Sequence, residues 1–84
     1  MIEIRVRLYG ALTLIDEVKK DKDRIKNGFL LRIDEHANVK DVLDMLKIPK
    51  KDIKIVSIGK ERVMLDAELK DGDTLHVYPI MGGG

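Results

Sequence analysis

Hydrophobic and polar residues alternate cleanly at the start of the chain. Ile2, Ile4, Val6 and Leu8 point one way, Glu3, Arg5 and Arg7 point the other, and Gly10 ends the run. A period of two with β-branched members marks a half-buried strand. The pattern returns after Asn27-Gly28, a pair that tolerates the positive φ of a turn. Phe29, Leu31 and Ile33 then share one face and Leu30 and Arg32 the other, which predicts a second strand over 29–34. The two strands are expected to pair as a long-looped hairpin. Between them, Leu12, Ile15 and Val18 sit at helical spacing, followed by a charge-dense stretch to Lys26. This reads as a short helix and a solvated loop.

From residue 38 the period changes to that of a helix. Val39, Val42, Leu43 and Leu46 form one apolar stripe. Asn38 is a good N-cap, Asp41 suits the first turn, and Pro49 bars continuation, so a helix is expected over 38–48. Ile- and Val-rich residues 53–58 predict a third strand, and Val63–Leu65 a short edge strand. Residues 74–78, with Leu75 and Val77 on one face, predict a last strand ended by Pro79. Before it, Leu69-Lys70-Asp71-Gly72-Asp73 reads as a polar turn anchored by Leu69.

One amphipathic helix covers one face of one mixed sheet. The expected class is α+β, a ubiquitin-like β-grasp with a mixed four- to five-stranded sheet packed on one main helix. The first and last strands should lie side by side at its centre. The domain is expected to span residues 1–79, with 80–84 as a flexible glycine-rich tail.

Composition narrows the chemistry. Eighty-four residues allow one small domain, and the chain has no cysteine, so disulfides, zinc-thiolate sites and thiol catalysis are excluded. Sixteen basic against fifteen acidic side chains leave a net charge of +1, which argues against nucleic-acid binding by bulk charge. No apolar run reaches the roughly 18 residues of a membrane span. The alternating N-terminus does not read as a signal peptide, so a cytoplasmic location without membrane contact is expected.

The last residues are the hardest to explain by packing. Ile80, Met81, Gly82, Gly83 and Gly84 follow Pro79. Three glycines add conformational entropy and bury nothing. A frayed end or an expression scar would account for them without function, but the Ser, His or protease-site residues of a scar are missing. The functional reading is an arm whose terminal carboxylate is the working group. Five residues reach about 17 Å, and glycine lets the arm thread a narrow channel. A carboxylate is a poor electrophile. Converted by an ATP-dependent partner to an acyl-adenylate, it can accept sulfur, an amine or a thiol.

A Gly-Gly end alone says little. Joined to the Asp-Gly-Asp turn, the alternating last strand and Pro79, the run LKDGDTLHVYPIMGGG resembles the closing pattern of the MoaD/ThiS family of ubiquitin-like sulfur carriers. Arg7-Leu8-Tyr9-Gly10 is similar to the family's end of strand one. Asn38-Val39-Lys40-Asp41-Val42-Leu43 is similar to its helix start. Ile80 stands where the family often has a second proline, and Gly82 where it often has Ser or Thr.

The resemblance implies a protein cosubstrate rather than an enzyme. Gly84 would be adenylated by an E1-like adenylyltransferase and thiocarboxylated with a sulfurtransferase as donor, with Gly83 and Gly82 as the tail. No cofactor would be bound, since the activating partner uses the ATP. In the molybdopterin branch the tail enters the large subunit of molybdopterin synthase; in the thiamine branch its sulfur goes to the thiazole. Chain length and Tyr9-Gly10 favour the molybdopterin branch. The alternatives are a ubiquitin-like modifier conjugated through Gly84, and a β-grasp binding module with an incidental tail.

Other candidates are weaker. If the central strands pair as expected, Arg5, Arg7, Leu30, Arg32, His76 and Tyr78 share the outer sheet face. Such a face, with Pro79, Ile80 and Met81 at the tail base, is a candidate docking surface, weighed equally against an ordinary exposed sheet. His36 and His76 are isolated, which does not make a metal site. Asp66, Glu68, Asp71 and Asp73 lack the spacing of a calcium loop. Lys47, Lys50, Lys51, Lys54 and Lys60 form either a solvated surface, with Asp44 and Asp52 as partners, or a patch that docks an acidic partner or RNA. With three aromatic residues in all, Tyr9, Phe29 and Tyr78, base stacking is not expected.

Overall fold

A computed structural model of the chain describes residues 1–10 and 27–80. The helix expected near Leu12 and the loop after it lie outside the described residues, as do Met81 and the three terminal glycines.

Five strands form one mixed sheet: β1 (Ile2–Leu8), β2 (Phe29–Ile33), β3 (Ile53–Ile58), β4 (Glu61–Val63) and β5 (Thr74–Pro79). One helix, α1 (Val39–Met45), separates β2 from β3. The strand order is β2-β1-β5-β3-β4. β1 pairs antiparallel with β2 and parallel with β5, so the first and last strands lie side by side as expected. β5 and β4 flank β3, both antiparallel.

The alternation in the sequence is the division of the sheet into faces. Ile4, Val6 and Leu8 of β1, Phe29 and Ile33 of β2, Val56 of β3, and Leu75 and Val77 of β5 are buried with the α1 stripe in a single core. Buried aliphatic area of this kind is the main favourable term for so short a chain.

β2 ends at Ile33 and β5 runs on through Pro79, each one residue from expectation, and two elements differ by more. α1 stops at Met45 rather than at 48, and Pro49 is not what stops it. Lys47 turns to φ +58°, its amide donates to the Asp44 carbonyl (3.1 Å), and the Ile48 amide donates to Leu43 (2.9 Å). This is a Schellman turn with lysine where glycine is usual. It carries Ile48 back into the core, 3% exposed. The edge strand lies at Glu61–Val63 rather than Val63–Leu65. The residues after it are drawn to the start of α1. There the Ala67 and Leu65 carbonyls accept the Val39 and Lys40 amides (3.0 and 2.9 Å). Those amides have no partner inside the helix, and a carbonyl beside them satisfies a need that a strand ladder would leave open.

Asn38 caps α1 as expected, accepting from the Asp41 amide (2.9 Å), and the Asp41 carboxylate accepts from the Asn38 amide in return (3.0 Å). Such a box contributes roughly 0.5–2 kcal/mol.

The Asp-Gly-Asp turn is a staple on β1. Asp71 accepts from the Glu3 amide (2.9 Å), the Gly72 amide donates to the Glu3 carbonyl (2.9 Å), and the Asp73 carbonyl accepts from the Arg5 amide (2.9 Å). Leu69 anchors it, 1% exposed. The turn therefore fixes where β5 starts relative to β1, and so which β5 residues face which β1 residues.

Candidate docking face and tail exit

The parallel register sets Arg7 beside His76 across β1 and β5, and Ser57 and Arg62 continue that row onto β3 and β4. On β2, Leu30 lies opposite Arg5, and Arg32 opposite Glu3. The expected group of Arg5, Arg7, Leu30, Arg32, His76 and Tyr78 is thus gathered on the face away from α1. Leu30 is 54% exposed there, an unusual place for a large aliphatic side chain.

Tyr9 joins this face and was not expected on it. Its ring stacks on Tyr78 at 4.5 Å between centroids and 10° between planes, and on His76 at 6.0 Å. The Tyr9 hydroxyl hydrogen-bonds His76 Nδ1 at 2.8 Å, and the Arg7 guanidinium lies 5.5 Å from the Tyr9 ring centre. Three rings and a cation thus form one cluster. The signal for Tyr9 is the same alternation that placed Arg5 and Arg7, carried one step further. What hid it was that the partner rings are more than sixty residues away.

Charge and burial tune the cluster. Burial and, after it, the Arg7 charge both hold His76 below the ordinary imidazole value. Burial raises the Tyr9 phenol; Arg7 opposes that shift and Tyr78 adds to it.

The tail leaves from the edge of this cluster. Pro79 lies opposite Ile53 at the end of β5, and Gly10 packs against its ring. Gly10 has φ +58°, and a Cβ there would sit 2.9 Å from Pro79 Cγ, so glycine is needed for both reasons. The Ile80 amide donates to the Asp52 carbonyl (3.0 Å). A second proline at this position would lack that donor. The chain is therefore tied to the domain as far as Ile80, two residues before the first of the three glycines.

Elsewhere, His36 lies at φ +69° with Nδ1 3.1 Å from Glu68, far in sequence from His76. Among the described residues no three His, Asp or Glu side chains gather as a metal would require. No described helix is long and apolar enough to cross a membrane. Of the expected basic patch, Lys50 and Lys54 line one groove, together with Arg62.

Among the described residues, a β-grasp sheet with one α-helix packed on one face, and a last strand running beside the first, defines a ubiquitin-like fold. The chain belongs to the Mut7-C ubiquitin family, whose pattern it matches over residues 1–82. No curated protein matches it. Among solved structures, it is similar to a molybdopterin converting factor subunit 1 from Pyrococcus furiosus. The two are 20% identical with a TM-score of 0.69, covering 94% of this chain and 98% of that one. It is also similar to small archaeal modifier protein 1 of Haloferax volcanii, 18% identical with a TM-score of 0.70 over 94% and 98%. A third likeness is to a complex of subunits 1 and 2 of molybdopterin-converting factor from Helicobacter pylori, 19% identical with a TM-score of 0.60 over 99% and 100%. These likenesses are to the fold.

Proposed function

We propose that this protein is a carrier that works through the carboxylate of Gly84. An E1-like adenylyltransferase joins that carboxylate to AMP from ATP, releasing pyrophosphate. A sulfurtransferase then supplies sulfur in place of AMP, leaving a thiocarboxylate. The sulfur passes to an acceptor, here assigned to molybdopterin formation on a synthase large subunit in the cytoplasm. The protein is the cosubstrate; the catalytic groups belong to its partners.

One observation carries this reading: the run from Leu69 to Gly84. Its turn is stapled to β1, its strand bears two of the three outer-face rings, and Ile80, two residues before the glycines, is hydrogen-bonded to the domain. Arg5, Arg7, Arg32, His76 and Tyr78, with Pro79, Ile80 and Met81, serve as the surface that partners grip while the tail is in their active sites. The fold likeness to a converting-factor subunit, one example of which is solved with its second subunit, supports the molybdopterin assignment.

A second reading has its own support in the likeness to a small archaeal modifier. In it the activated Gly84 carbonyl is captured by a lysine amine.

Intact mass spectrometry of the protein from its own host separates the two. A gain of about 16 Da, one oxygen exchanged for sulfur, is expected for the carrier. Other proteins bearing Gly84 on lysine, with no such gain, would establish the modifier. Deleting Gly83 and Gly84 is expected to abolish molybdopterin synthesis in a strain that depends on this chain. A deletion variant that still supports it would refute the carrier.

A further inference from the structure

A groove of about 290 Å³ opens at the β3–β4 edge of the sheet. It follows from the pairing. β4 pairs with β3 only at Val56, Ser57 and Ile58. Past Val63 the chain is drawn off to the start of α1. Among the described residues, Ile53 to Ile55 therefore run without a strand beside them on that edge. An uncovered edge offers backbone donors and acceptors to a strand of another chain.

The lining is of two kinds. Lys50, Lys54 and Arg62 are its charged members, all exposed, and no carboxylate lines it. On a chain of net charge +1 this is a local excess of positive charge. Ile53, Ile55 and Met64 supply apolar surface, and Met64 is 76% exposed. The space lies just under the range of small-molecule pockets, roughly 300–1,000 Å³, and it is open on one side. It suits a few side chains on a strand better than an enclosed ligand. Cations around an apolar, unpaired edge complement carboxylates set between apolar residues.

We infer that this groove docks an extended segment of a protein partner in which Asp or Glu alternates with apolar residues. The segment adds a strand along Ile53–Ile55, in the place that β4 vacates. Its apolar side chains pack on Ile55 and Met64, its carboxylates on the opposite face meet Lys54, and Arg62, on the side of Ile55, adds to the positive charge that draws the segment in. Ile55 lies opposite Tyr78, so the docked strand adjoins the outer face without covering the rings. The inference goes beyond the carrier reading and does not depend on the chemistry at Gly84.

The test is a titration of the isotope-labelled full chain with the peptide acetyl-Glu-Val-Asp-Ile-Glu-Val-Asp-amide, followed by amide chemical shifts. Saturable shifts confined to residues 53–65 are expected, along with weaker binding in high salt. Lys54→Glu and Arg62→Glu should each weaken binding about tenfold, while unchanged shifts elsewhere show that each variant is folded. The same peptide with lysine for its acids should not bind. A chain lacking Gly83 and Gly84 should bind the acidic peptide equally, which separates this proposal from the carrier reading.

Four results would overturn the proposal. The first is shifts centred on Arg7, Tyr9 and His76, and the second is equal binding of the lysine peptide. The third is tighter binding of a single-stranded oligonucleotide than of the acidic peptide. The last is absence of saturable peptide binding, with sedimentation showing whether the chain self-associates instead.

Discussion

Leu75 and Val77 on β5 are fully buried, while His76 and Tyr78, each one step away, lie among rings and guanidinium groups on the other side of the sheet. The same strand serves two faces with different physics. The inner face is aliphatic, and its members are fixed by packing alone. The outer face carries Arg5, Arg7, Arg32, three rings and an exposed Leu30, none of which the core requires. Buried aliphatic area therefore lies on one side, and charged and aromatic groups on the other.

Substitutions on β5 measure that difference. Leu75→Ala removes a fully buried side chain from the sheet centre. It is expected to cost about 2–5 kcal/mol in denaturant unfolding. Tyr78→Ala, three residues on, removes a ring that stacks on Tyr9 but is 36% exposed. A loss of about 1–2 kcal/mol is expected, the stacking part being roughly 0.5–1.5 kcal/mol. Equal losses for the two would mean that the outer cluster is as structural as the core, and the contrast between the faces would fail.

The smallest expected effect is a pH dependence. His76 is held below 6.5 in the folded state, so the unfolded chain binds its proton more readily. The stabilisation is whole above the unfolded value, is lost as pH falls below about 6.5, and stops falling once the folded ring also takes a proton. Arg7→Gln removes one of the two causes and should flatten this dependence and raise the His76 titration midpoint seen by NMR. An unchanged midpoint would show that burial alone lowers the His76 value.

Much of the fold was legible because it is periodic. The two-residue alternation of β1 and β2 and the stripe of α1 each follow from the need to bury one side of a regular element. The ends of elements were less legible. Lys47 does not look like a helix terminator, since a lysine adopts positive φ only when neighbouring hydrogen bonds and a buried Ile48 hold it there. The edge strand lies two residues earlier than its pattern predicts, because the pull on residues 65–67 comes from amides of α1 that are distant in sequence.

The candidate site divides in the same way. The three terminal glycines lie outside the described residues, and the reading of them rests on the sequence. The outer face could be read only as a list of residues sharing one side. Their grouping depends on the register between β1 and β5, which the Asp71–Asp73 staple sets and no local pattern encodes. The sequence by itself determined which side of each strand faces the core, since that follows from the chemistry of each residue and its neighbours. Only the tertiary structure decided that Tyr9 meets His76 and Tyr78, and that β3 keeps an open, cation-rimmed edge. Both depend on contacts between segments far apart in the chain, whose alignment is fixed by hydrogen bonds rather than by hydrophobic pattern.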